Sequence, residues 1–95
     1  MVTKRKITVG NSAGLHGRPA ARFVMLAKRF KGAVIVTYGE KKANGKSMLE
    51  LLKLGVRPGH EIDVELRPYS KKDQSQEYQF IFELDSIVNH EPWEE

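Results

Sequence analysis

The apolar residues of this chain recur at two spacings, and the spacing changes mark its elements. From Arg5 to Val9 they alternate, with Ile7 and Val9 on one face, and the segment reads as a strand. Ala33 to Tyr38, AVIVTY, is rich in β-branched residues and is the strongest strand of the chain. Gly39-Glu40 reads as a turn and Lys41 to Asn44 as a short returning strand. His60 to Arg67 sets Ile62, Val64 and Leu66 against Glu61, Asp63 and Glu65, the pattern of a half-buried strand.

Between Gly17 and Lys31 the period is that of a helix. Ala20, Val24, Ala27 and Lys31 fall on one line, with Phe23 and Phe30 beside it. Pro19 sits in the first turn, where a missing N–H does no harm. His16 is then the N-cap and Gly32 the C-terminal stop. Ser47-Met48-Leu49-Glu50 has the form of a capping box, a hydroxyl followed three residues later by a carboxylate. It opens a short helix over residues 47–54 that stops at Gly55.

The last third fits two periods. Tyr78, Phe80, Phe82 and Leu84 alternate like a strand, whereas Ile81, Leu84 and Val88 fit a helix. Residues 73–89 are too long for one strand, so length decides for a helix, with Asp73 and Gln76 as a candidate cap. Residues 90–95 read as a loose tail in which Trp93 has no assigned role. The order β-α-β-β-α-β-α predicts an α+β fold in one domain over residues 1–95. It is an open-faced sandwich, a four-stranded antiparallel sheet with three helices on one face.

The chain has no cysteine, which removes disulfides, thiol chemistry and thiolate metal sites. That fits a reducing cytoplasm, and a cytoplasmic protein is expected. The start, MVTKRKITVG, lacks the apolar stretch of a signal peptide, and no apolar run approaches membrane-spanning length. The formal net charge of +4 is unevenly placed. Residues 1–39 carry eight Lys/Arg and no Asp/Glu, while residues 40–95 carry eight Lys/Arg and twelve Asp/Glu. The first half therefore favours an acidic partner, either nucleic acid or an acidic protein surface. Aromatic residues do not interleave with its basic ones, which argues against nucleic acid.

Gly14-Leu15-His16-Gly17-Arg18-Pro19-Ala20 carries the candidate chemistry. Histidine keeps an unprotonated ring nitrogen near neutral pH. At a helix start it has free backbone N–H groups and a positive dipole end beside it, which favour the neutral, nucleophilic ring and, once phosphorylated, the anion it becomes. Arg18 adds a charge-assisted donor. Gly17 removes bulk beside an incoming group, and Asn11 and Ser12 offer hydrogen-bonding side chains. Such a site suits a carrier better than a catalyst.

Other patterns are weaker. Gly39 to Ser47 approaches a phosphate-binding loop but has five residues between its glycines where the motif needs four. His60 and His90 lack partners at ligand spacing, so no metal is expected. His60 is expected at an exposed turn. No paired carboxylates suggest hydrolysis, and no cofactor is implied.

GLHGRPA resembles the GLHARPA signature of the HPr family, the histidine phosphocarriers of the bacterial phosphotransferase system. The resemblance runs over about residues 4–67 and includes a second block, KKANGKSMLELLKLGVRPGHEIDVEL. It implies that His16 accepts a phosphoryl group on Nδ1 from phosphorylated Enzyme I, charged by phosphoenolpyruvate. The group then passes to a histidine of an enzyme IIA domain. Arg18 takes the part of the phosphate-side arginine. Ser47 aligns with the serine that an HPr serine kinase phosphorylates in some members, although the capping box alone also accounts for it.

The same resemblance makes Met48, Leu49 and Leu52 a docking patch, with Leu51 and Leu54 inward. It adds Arg18, Ala21, Arg22, Met25 and Lys28 as partner contacts, though a solvated charged face explains Arg22 and Lys28 equally well. A monomer without stable membrane association is expected. The chain departs from the family in two places. Gly17 stands where alanine is usual, and is expected to loosen the first helical turn by up to about 1 kcal/mol. SQEYQFIFELDSIVN replaces an acidic, alanine-rich last helix, so its aromatic residues either pack a different core or expose a contact surface. The rival readings are a regulatory binding module controlled at Ser47, the nitrogen-regulatory branch of the same system, and a basic nucleic-acid-binding domain.

Overall fold

The alternating segments assemble into one sheet with two unlike faces. A computed structural model describes residues 3–10, 12, 14–71 and 76–89. Strand β1 (Thr3–Thr8) lies at one edge, followed by β4 (Glu61–Pro68), β2 (Gly32–Tyr38) and β3 (Lys41–Asn44), and every neighbouring pair is antiparallel. The register puts Ile7 opposite Ile62, Val64 opposite Val36, and Val36 opposite Ala43. These residues, with Val34 and Leu66, are buried. The other face is polar: Lys6 pairs with Asp63 at 3.4 Å, and Arg67 with Glu65 at 2.5 Å. Such exposed pairs are worth at most about 1 kcal/mol, so the sheet is held by its apolar face.

Three helices supply the rest of the core. Helix α1 (Gly17–Ala27) buries Pro19, Ala20, Phe23, Val24 and Ala27. Helix α2 (Met48–Lys53) buries Leu51, with Leu54 buried just beyond it. Helix α3 (Glu77–Asn89) buries Ile81, Leu84 and Val88, so the length argument held and the helical period was the operative one. The aromatic residues of α3 divide. The Phe80 ring meets Phe30 edge-on, with centroids 5.1 Å apart. Tyr78 and Phe82 point outward, at 76% and 64% exposure. The Glu77 carboxylate is buried and accepts a hydrogen bond from the Thr3 hydroxyl, while Arg5 pairs with Asp85 at 3.1 Å, so α3 is fastened to β1. The candidate cap Asp73 and the tail with Trp93 lie outside the described residues.

One expectation is corrected. The first helix ends at Ala27, not Lys31, and Gly32 is the first residue of β2. Bonds from Arg29 N–H to the Leu26 carbonyl (3.0 Å) and from Phe30 N–H to the Ala27 carbonyl (3.1 Å) tighten the last turn and release the chain. That turn lets Phe30 reach the core. The freed Phe30 carbonyl accepts from Lys46 Nζ at 2.7 Å, and burial pushes the Lys46 ammonium below its ordinary pKa of 10.5. Gly32 is needed for close approach. A Cβ there would lie 2.3 Å from the Arg67 carbonyl oxygen and 2.5 Å from Phe30 Cε2. No helix among the described residues is long and apolar enough to cross a membrane.

Candidate functional site

The loop between β1 and α1 is short of side chains but well anchored by its backbone. Val9 N–H donates to the His60 carbonyl at 2.8 Å, and Gly59 N–H returns a bond to the Val9 carbonyl at 2.8 Å. Gly10 N–H donates to the Val88 carbonyl at 3.1 Å, which ties the loop to the last turn of α3. Leu15 is fully buried, and its N–H donates to the Val56 carbonyl at 3.3 Å. Gly14 adopts φ +71, and a Cβ on it would sit 2.7 Å from the Val56 carbonyl oxygen. His16 is thus held between an embedded residue before it and buried Pro19 and Ala20 after it.

His16 is the N-cap of α1, as the sequence predicts, with extended backbone angles of −138° and 168°. Its side chain makes no capping hydrogen bond, and the first turn contains no acidic residue. Neither the His16 side chain nor a first-turn acid takes up the first-turn N–H groups, which stand with the positive end of the helix dipole beside a half-buried imidazole. A helix start of this kind has the donors and the field to hold an anion.

The structure revises the reading of Gly17. Its φ is +59, in the left-handed region, and an added Cβ would meet nothing within 4 Å. The position demands a backbone conformation, not space. Any residue with a Cβ would carry about 1–2 kcal/mol of strain there. Glycine fits this start instead of loosening it.

Arg18, Arg22, Met25 and Lys28 are exposed and Ala21 is half-buried. Their three- and four-residue steps place them along one side of α1. Helix α2 packs against α1. On it, Leu49 is 65% exposed while Met48 and Leu52 are partly buried against the core. Leu51 and Leu54 face inward, as expected from the sequence. Ser12 is exposed in a turn, and Asn11 lies outside the described residues.

Ser47 caps α2, its hydroxyl accepting from Glu50 N–H at 3.3 Å. The other half of the predicted box is redirected. Glu50 Oε1 accepts from Asn44 N–H at 2.8 Å, and Ser47 N–H donates to the Asn44 carbonyl at 3.0 Å. The cap is therefore closed onto the end of β3. His60 is exposed, as expected, yet it is engaged: Nδ1 shares a hydrogen bond with the Tyr38 hydroxyl, and the rings stack with centroids 5.7 Å apart. No group of three His, Cys, Asp or Glu able to hold a metal occurs among the described residues.

A family model described as the PTS HPr component phosphorylation site matches residues 3–82. The chain belongs to the HPr family. It is similar to the phosphocarrier protein HPr of Neisseria meningitidis, with 37% identity over 62 residues, 65% of this chain and 70% of that one. It is also similar to the phosphocarrier protein NPr of Shewanella violacea, 39% over 59 residues, 62% of this chain and 65% of that one. Among solved structures, HPr from Bacillus anthracis superposes with a TM-score of 0.80 at 25% identity, over 92% of this chain and 96% of its own. The HPr fold thus extends through α3, where the sequence departs from the family's usual ending.

Sequence reasoning passed over the residues that anchor the HPr loop here. Leu15 was the available signal, one large apolar residue inside a small and polar stretch. Val56 and Gly14 gave none, because their part depends on a contact between distant segments.

Proposed function

We propose that His16 is the phosphoryl acceptor of a cytoplasmic, monomeric phosphocarrier. The observation that carries this reading is the start of α1, where the imidazole stands beside backbone donors that neither its own side chain nor a first-turn acid engages. His16 Nδ1 attacks the phosphorus of a phosphohistidine on Enzyme I. A new N–P bond forms as the donor N–P bond breaks. The reverse attack, by a histidine of an enzyme IIA domain, unloads His16. Both bonds are of one kind, so the site needs positioning and charge compensation more than a catalytic acid. Arg18 and the first-turn N–H groups supply that compensation, with Gly17 giving the helix start its shape. Ser12 is assigned as a further donor, and Asn11 is assigned on sequence alone. The side of α1 carrying Arg18, Ala21, Arg22, Met25 and Lys28, with Met48, Leu49 and Leu52 of α2, serves as the docking surface.

Ser47 is assigned as a regulatory phosphorylation site for an HPr serine kinase. A phosphate at an N-cap is electrostatically tolerated and places charge beside Met48 and Leu49, which weakens apolar docking. The similarity to an NPr phosphocarrier, as strong as that to HPr, supports the nitrogen-regulatory branch as a second reading. The similarity to the HPr-like protein Crh of Bacillus subtilis, 39% over 61 residues, whose solved structure is described as that of the catabolite repression HPr, supports a regulatory module as a further reading.

Incubation with Enzyme I and phosphoenolpyruvate, followed by intact mass measurement, tests the main reading. One acid-labile phosphoryl increment is expected, absent in His16→Ala. No increment from an Enzyme I that loads a relative of known activity would overturn it. The His16→Ala chain should keep its stability, since the side chain makes no capping bond.

A further inference from the structure

Strand β1 forms an outer edge of the sheet, and the backbone groups it turns outward can be named. Val9 N–H donates to the His60 carbonyl, and Tyr69 N–H to the Lys31 carbonyl. In an antiparallel ladder, bonded pairs alternate with non-bonded ones. Thr3, Arg5 and Ile7 therefore turn their N–H and C=O groups to Leu66, Val64 and Ile62, while Asp63, Glu65 and Arg67 turn theirs to β2. Lys4, Lys6 and Thr8 direct theirs out of the sheet, and no strand among the described residues lies beyond them.

One flank of α3 stands over this edge. Phe80, Glu83 and Ile87 lie on the flank toward α1, where they line the space beside Leu26 and Arg29. At 3.6 residues per turn, Tyr78, Phe82 and Asp85 fall on the opposite flank. The pairing of Asp85 with Arg5 sets that flank above β1. Tyr78 and Phe82 are exposed there, one helical turn apart. Helix α1 packs against both α2 and α3, so α3 separates the β1 edge from the docking side of α1 and α2.

The occupant that suits this edge is indicated by the strand β1 already holds on its inner side. There Lys4 faces Glu65 and Lys6 faces Asp63 on the open face of the sheet, with Ile62, Val64 and Leu66 buried on the helix side. Acidic and apolar residues alternate in it. The outer side offers the same division, lysine side chains on the open face and two aromatic rings on the helix side. A second copy of β1 fits poorly, because it would set Lys and Arg against Lys and Arg. Edge lysines keep identical chains apart and leave the edge available to a strand of opposite charge.

We propose that the outer edge of β1 takes an extended segment of another protein as a fifth strand. Its acidic residues lie beside Lys4 and Lys6, and the apolar residues between them lie against Tyr78 and Phe82. The backbone groups of Lys4, Lys6 and Thr8 supply the ladder. The proposal does not rest on the phosphocarrier reading.

A capped peptide with the order of β4, EIDVEL, is the probe, added to isotope-labelled protein and followed by NMR. Saturable shifts are expected at the amides of Lys4, Lys6 and Thr8 and in the rings of Tyr78 and Phe82, with severalfold slower hydrogen exchange at the three amides. The peptide KIKVKL should give none of these. Lys4→Gln combined with Lys6→Gln, both at exposed positions, should weaken binding severalfold with an unchanged circular dichroism spectrum. Phe82→Ser should do the same through lost apolar contact. Equal binding of both peptides, shifts confined to α1 and α2, or full binding retained by both variants overturns the proposal. Slow exchange of the three amides before peptide is added overturns it too, since the edge would already be covered. Protection that rises with protein concentration would place a second copy there instead.

Discussion

Helices α1 and α2 begin alike and are finished differently. Each starts from a polar residue in extended backbone, His16 in one and Ser47 in the other. Ser47 answers the helix with its hydroxyl, and Glu50 lies in the first turn, where the dipole favours it. His16 answers nothing, and no acid follows it. A closed helix start contributes to stability from within. An open one leaves the same donors available to something that arrives, and forgoes roughly 1 kcal/mol of capping for it. Where a protein closes one start and leaves the other open, the open one is the place to look for a ligand.

This contrast is easily broken. Arg18→Glu places an acid in the first turn of α1 and removes the guanidinium proposed to stabilise the phosphoryl group. Its folding stability should rise by about 0.3–1 kcal/mol. Phosphorylation by Enzyme I should fall at least about tenfold, a barrier change of about 1.4 kcal/mol. Chemical denaturation and a phosphorylation time course, run side by side, check the opposite signs. An equal or faster rate would remove Arg18 from the site. Gly17→Ala closes nothing but strains the start, because φ is +59 there. Denaturant melts should show a loss of about 1–2 kcal/mol. A neutral result would mean that the helix start relaxes to ordinary angles. Ser47→Ala opens α2 and should cost about 1 kcal/mol with normal phosphorylation of His16. A stability loss below experimental error would mean that Glu50 and Asn44 hold the turn without the hydroxyl.

Much of this could be read in advance, for identifiable reasons. The strands declared themselves because Ile62, Val64 and Leu66 alternate with acids, and only one face of the sheet is covered. The helix at residues 77–89 followed from Ile81, Leu84 and Val88 together with simple length. His16 as an N-cap followed from Pro19 in the first turn and the apolar period behind it. What stayed hidden depends on contacts between distant segments. Helix α1 stops four residues early because Phe30 must meet Phe80 and Gly32 must pass close to Arg67, and local spacing holds neither fact. The positive φ of Gly17 is a property of how the loop enters the helix, so composition suggested slackness where there is fit. The buried Glu77 is held by the Thr3 hydroxyl, a partner from the other end of the chain that local spacing does not reveal.

The anchoring of the loop before His16 has a kinetic side. Its partners are Val56, Gly59 and His60 from the far side of α2, and Val88 near the end of α3. Strand β1, which leads into the loop, pairs only with β4. Closing loops between such separated segments costs entropy that the local β2–β3 hairpin avoids. A chain emerging from the ribosome can form that hairpin early, but it cannot set the histidine until most of its length has appeared. The same holds for a damaged or partly unfolded copy. Readiness to receive a phosphoryl group is thereby tied to completion of the fold, and an unfinished chain offers a donor no properly presented imidazole.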